Sequence, residues 1–68
     1  MWQLVSTAPY DRVLELAVID RGGEHALIFP CRRIGIDTWI DALTRRLIEV
    51  QPTHWREWSE ENERGRLH

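Results

Sequence analysis

Cys31 stands beside Arg32 and Arg33, and neighbouring cations lower a thiol pKa toward the nucleophilic thiolate. Catalysis by that thiolate would also need a base and an oxyanion site. His25 and His54 are the candidate bases, and nothing in their spacing brings either to Cys31. A cysteine that ends an apolar run is more simply a small packed residue, so no catalytic residue is expected. His25, His54, Cys31 and Asp20 are also zinc-ligand types, but no pair has the short C-x-x-C or H-x-x-x-H separation of structural zinc sites. Neither a metal nor a cofactor is expected. His25 reads as solvated after a turn, and His54 as a structural residue beside Trp55.

The other chemistry-bearing residues are arginines and tryptophans. Nine arginines and no lysine face eleven acids, a formal charge of -2. Planar guanidinium suits phosphate and carboxylate, yet the arginines are spread along the chain, as codon usage in a GC-rich genome would leave them. A negative chain has no general attraction for nucleic acid or an anionic membrane. The best local case for nucleic acid is Arg32-Arg33 and Arg45-Arg46 with Trp39 between them in sequence, cations for phosphate and an indole for base stacking. A single-stranded nucleic-acid binder is therefore the alternative function. The favoured one is a non-enzymatic interaction or accessory module with a protein partner or self-association, because Trp and Arg are enriched in binding hot spots and a small sheet has open edges. The candidate interaction surface is Trp58, Arg56, Arg32, Arg33 and Trp39. Trp58 leads it: three residues from Trp55, it cannot share a strand face with that residue, and it is expected to be exposed while Trp55 is core.

These residues must be positioned by one small domain. Sixty-eight residues bury only roughly 60% of the surface that the unfolded chain exposes, and a single cysteine supplies no internal disulfide. Four tryptophans, Trp2, Trp39, Trp55 and Trp58, at on the order of 200 Å² each, are the substitute for a larger aliphatic core. Val13 to Ile19 alternates Leu14, Leu16 and Val18 on one face and reads as a strand. Asp20-Arg21-Gly22-Gly23 is turn chemistry, and Glu24 to Phe29 is a second strand ended by Pro30, which predicts a β-hairpin. Trp2 to Val5 is a short first strand, Ser6 to Arg12 a loop, and Thr53 to Trp58 a last strand.

Residues 37–50 admit two readings. Trp39 or Ile40, Leu43, Leu47 and Val50 fall at helical spacing behind Asp37 as N-cap. Strands Thr38 to Asp41 and Leu47 to Val50 joined through Ala42 to Arg46 also fit, although that joint has no Gly, Asn or Pro. Local chemistry favours the helix. Residues 1–58 form the expected domain, and 59–68, with one apolar residue, read as a disordered polar tail. The start has neither a basic segment nor an apolar run of signal-peptide length, and with an unpaired cysteine this points to the cytoplasm, with no membrane span.

Trp2 followed by Val5-Ser6-Thr7-Ala8-Pro9, a Leu-Ala-Val-Ile-Asp strand, and Pro52-Thr53-His54-Trp55 together resemble the domain of unknown function 551 family of small bacterial and phage proteins, over about residues 2–58. The resemblance implies a small β-rich domain without an assigned activity, and it tips residues 38–50 toward the hairpin. The expected fold is thus mainly β, or small α+β: an antiparallel meander or hairpin sheet of three to five short strands, with 37–50 a hairpin or a helix.

Overall fold

The computed structural model describes residues 1–59, so the tail expected over 59–68 lies, beyond Ser59, outside the described residues. The protein is mainly β. Six strands, β1 (Gln3–Leu4), β2 (Leu14–Asp20), β3 (Gly23–Ala26), β4 (Cys31–Gly35), β5 (Thr38–Asp41) and β6 (His54–Glu57), form one sheet, with a 3-10 turn at Val5–Thr7. The order is β1-β6-β2-β4-β5, with β3 also on β2, and every pairing is antiparallel. Among the described residues no helix is long and apolar enough to cross a membrane.

The expected hairpin is present, with Ala17↔Ala26 through Asp20↔Gly23 in register. Asp20 Oδ1 accepts the Gly22 N–H at 2.7 Å, and Gly23 takes φ 120°, a conformation open to glycine because it lacks a Cβ. The second strand is shorter than expected. Leu27 N–H still donates to Leu16 O at 2.9 Å, but the chain then leaves the ladder and rejoins β2 only at Leu14↔Cys31. One edge of β2 therefore carries β3 and then β4, and the other carries β6.

Cys31–Gly35 is a strand that sequence reasoning missed. Its inward positions are Cys31 and Arg33, and an arginine at a core position destroys the apolar alternation by which a strand is recognised. The helix expected over 37–50 does not form: Thr38–Asp41 is a strand, and Ile40↔Leu47 an isolated antiparallel bridge. The hairpin reading holds for its first strand and its turn, while the second strand expected over Leu47 to Val50 is reduced to this bridge; Asp41 supplies the missing turn chemistry. Its Oδ1 accepts the N–H groups of Leu43 (2.8 Å) and Thr44 (3.1 Å), its carbonyl accepts Arg45 N–H at 2.8 Å, and Arg45 takes φ 64° where a glycine would be ordinary.

The core is Ala8, Leu14, Leu16, Cys31, Trp39 and Trp55, flanked by Val5, Leu27, Phe29 and Ile48. Leu16↔Trp55 and Arg33↔Trp39 are directly opposed pairs, the unit of sheet packing. Trp55 Nε1 donates to Thr7 Oγ1 at 2.9 Å, and Thr7 Oγ1 donates to Leu4 O at 2.7 Å, so the buried indole meets its hydrogen-bond requirement.

Candidate functional site

Of the five residues expected at the interaction surface, two are in the core. Arg33 is 8% exposed and Trp39 3%. The Arg33 guanidinium lies 4.7 Å from the Tyr10 ring centroid and 5.2 Å from that of Trp39, within cation–π range. It donates to the carbonyls of Gly35 (3.1 Å), Ser6 (3.3 Å), Ala8 (2.8 Å) and Ile36 (2.8 Å). Arg33 thus ties the loop before β2 to the β4–β5 turn, and neither it nor Trp39 is available to a partner.

Arg56 is also occupied. Glu15, 0% exposed, faces it across β2 and β6 and accepts from Arg56 Nε at 2.8 Å and Nη2 at 3.4 Å. The guanidinium stacks 4.0 Å from the Trp2 ring, and the hydrogen bond to Glu15 leads the causes that raise the Arg56 pKa. Beside it, Thr53 substitutes for a ladder residue. Its Oγ1 accepts from Ile19 N–H at 2.8 Å, and its own N–H donates to Ala17 O at 2.9 Å. His54 Nδ1 is 2.8 Å from the same hydroxyl, so Thr53-His54-Trp55 is a structural unit that seats β6.

Cys31 is fully buried. Burial, followed by the negative charge of Asp41, pushes its thiol up to about 12, the reverse of the thiolate that its arginine neighbours suggest; Arg32 points to solvent and Arg33 is engaged elsewhere. The thiol donates to Phe29 O at 3.3 Å. Register keeps the histidines apart from it. His54 pairs with Ala17, on the other edge of β2 and three residues, or about 10 Å, along it; His25 pairs with Val18, about 13 Å along. Among the described residues no group of three His, Cys, Asp or Glu side chains is placed to hold a metal.

Arg32 and Trp58 come together elsewhere, in a groove of about 620 Å³ over the outer face of β4 and β5. Arg32 and Ile40, a cross-strand pair, line it from the sheet; Leu43 and Arg45 line it from the turn after β5; Trp58 and Val13 line it from the joined ends of β6 and β2. Trp58 N–H donates to Val13 O at 3.3 Å. Trp58 is half-buried rather than exposed, because it lies along this groove. Ile34 and Leu43 expose 53% and 72% of their surface. Arg32 and Arg45 are the only charged residues among the lining, and neither side chain makes a hydrogen bond or ion pair with another described residue. Arg45 holds its φ of 64° at a cost of about 1–2 kcal/mol for an L residue with a Cβ. A second hollow, of about 840 Å³ beside Phe29, Leu47 and Val50, mixes Asp41 and Glu49 with Arg46 and has no such single sign of charge.

Sequence reasoning missed Ile34 and Leu43, and it singled out Arg45 only as a phosphate contact beside Trp39, not as part of a groove with Trp58. Leu43 at helical spacing reads as core, whereas the turn built by Asp41 turns it outward; a run of apolar residues with no glycine at the turn was the only available signal. No protein-family model matches the chain, no curated protein matches it, and no solved structure matches it.

Proposed function

We propose that this domain is a non-enzymatic protein-interaction module whose docking surface is the groove between Trp58, Ile34 and Leu43. The observation that carries the proposal is the clustering of large exposed apolar side chains, Ile34, Leu43 and Val13, around a half-buried indole in one concavity. Water-exposed apolar area gathered in one concavity is the kind of surface by which proteins dock. The buried, unpaired Cys31 supports a reducing compartment, and we place the domain in the cytoplasm. The resemblance to the domain of unknown function 551 family, which we retain as a proposal, supplies no activity, so the function is argued from the groove.

The test is a selection of random peptides displayed on phage against the folded domain, with Leu43→Asp as counter-target. Peptides that bind the parent domain and lose at least tenfold in affinity for Leu43→Asp are expected, with the variant's unfolding midpoint unchanged. Recovery of no groove-dependent peptide refutes the proposal. Binding of a single-stranded oligonucleotide by the parent domain, with strong salt dependence, would favour the nucleic-acid alternative.

A further inference from the structure

We infer, on the reading of the groove as a protein-docking site, that its occupant is an acidic segment of another protein, one that sets an apolar side chain against Trp58, Ile34 and Leu43 between carboxylates that meet Arg32 and Arg45. The chain as a whole carries a net charge of -2, yet the groove lining holds two cations and no acid. Both guanidinium groups lack a partner among the described residues, whereas Arg33 is held by four side-chain hydrogen bonds and Arg56 by two. The groove is therefore a local positive site on a negative protein, the arrangement that directs an anionic partner to one place.

Arg45 adds an independent observation. It occupies a left-handed position that glycine or asparagine fills with less strain, and its side chain contributes to nothing described except the groove wall. Strain retained at a position that points a charged group into a concavity is the pattern of a functional residue. A carboxylate accepts two parallel hydrogen bonds from a guanidinium, which gives each arginine a defined role.

The alternatives fit less well. Nucleic acid draws affinity from many phosphate contacts, and two arginines on a negative chain supply few; exposed Ile34 and Leu43 would gain nothing from a sugar-phosphate backbone. A second copy would have to seat its own surface in the groove. That arrangement has its own readout in the test.

The test uses the full-length, isotopically labelled protein and records the Trp58 indole N–H and the Arg32 and Arg45 Nε–Hε signals by NMR. The probes are a blocked heptapeptide of sequence Ser-Glu-Leu-Phe-Glu-Leu-Ser, its counterpart with lysine in place of glutamate, and a ten-nucleotide oligothymidine. The acidic peptide is expected to shift all three signals, to bind at least tenfold more tightly than the lysine peptide, and to lose about tenfold in affinity between 50 and 500 mM salt. The Arg32→Glu/Arg45→Glu variant should invert the preference, and Arg45→Gly should weaken acidic-peptide binding without lowering the unfolding midpoint. Equal binding of the two peptides in the groove overturns this inference and leaves the docking function standing. Binding of oligothymidine alone overturns both; binding of no probe at millimolar concentration overturns the acidic-partner inference, while the docking reading stands or falls with the phage selection. Concentration-dependent shifts of the groove signals without peptide would put a second copy there and overturn the acidic-partner inference.

Discussion

Arg33→Lys is expected to destabilise the fold by about 3–4 kcal/mol although it preserves the charge. Around its edge the planar guanidinium bridges carbonyls of two segments, those of Ser6 and Ala8 before β2 and those of Gly35 and Ile36 after Arg33. An ammonium is a point group with three donors and cannot bridge both pairs. Losing two hydrogen bonds to a charged donor removes about 1.5–3 kcal/mol each, and weaker stacking against Tyr10 and Trp39 removes about 0.5–1 kcal/mol more. Water entering the vacated space returns part of this, which gives the stated value. At about 0.05–0.15 kcal/mol per residue, a domain of this length holds only roughly 3–9 kcal/mol, so the variant should sit near its unfolding threshold. Urea unfolding followed by tryptophan fluorescence and by circular dichroism, extrapolated linearly to water, measures the difference. The acceptors are carbonyls, so the difference should stay constant from pH 5 to 9. Arg33→Met separates bonding from burial: if burying the charge were the dominant cost, Met would stabilise the fold. A loss below about 1 kcal/mol in either variant refutes the assignment of Arg33 as the tie between the two loops.

Three further outcomes are expected. Above pH 9 the unfolded chain loses the Cys31 proton while the native thiol, held up to about 12 by burial and Asp41, keeps it; native protein then binds more protons, and stability should fall by about 1.4 kcal/mol per pH unit toward pH 12. Urea midpoints at pH 8, 9 and 10, compared with Cys31→Ala, isolate this slope, and equal slopes would refute it. Arg56→Met should cost about 2–4 kcal/mol because Glu15 is left buried without its ion pair, whereas Glu15→Gln/Arg56→Met should recover much of that loss; no recovery in the double variant, measured in the same unfolding assay, would show that the pair does not act as a unit. Trp55→Ala should cost about 3–5 kcal/mol as a core truncation, and Trp58→Ala less than about 2 kcal/mol because its indole remains half in water; comparable losses from the two in denaturant titrations would place Trp58 in the core.

Local chemistry was enough for the elements that obey period two. Leu14 and Leu16 alternate into the core, Asp20 to Gly23 turns as its residues dictate, and Trp55 is buried beside the Thr53-His54 unit. It was not enough where a polar side chain does an apolar or a backbone job. Arg33 fills a core position because four carbonyls and two rings replace its water, so β4 carries no recognisable pattern. Asp41 reads as an ordinary polar residue of a helix and instead closes the turn. The groove depends on both exceptions, since β4 forms one side and the Asp41 turn another, and for that reason only Arg32 and Trp58 of the expected surface belong to it.

The place of β6 in the sheet has a consequence for synthesis. It lies between β1 and β2 and brings Trp55 opposite both Gln3 and Leu16, so two strands made earlier have no common neighbour until residue 57 has left the ribosomal exit tunnel. The nascent chain can close the β2–β3 hairpin early, because only two residues intervene, but Leu16 lacks its cross-strand partner until Trp55 arrives. The sheet is thus completed only when the last strand enters between β1 and β2, and a chain lacking that strand would present bare β2 and β1 edges to chaperones or to other nascent chains.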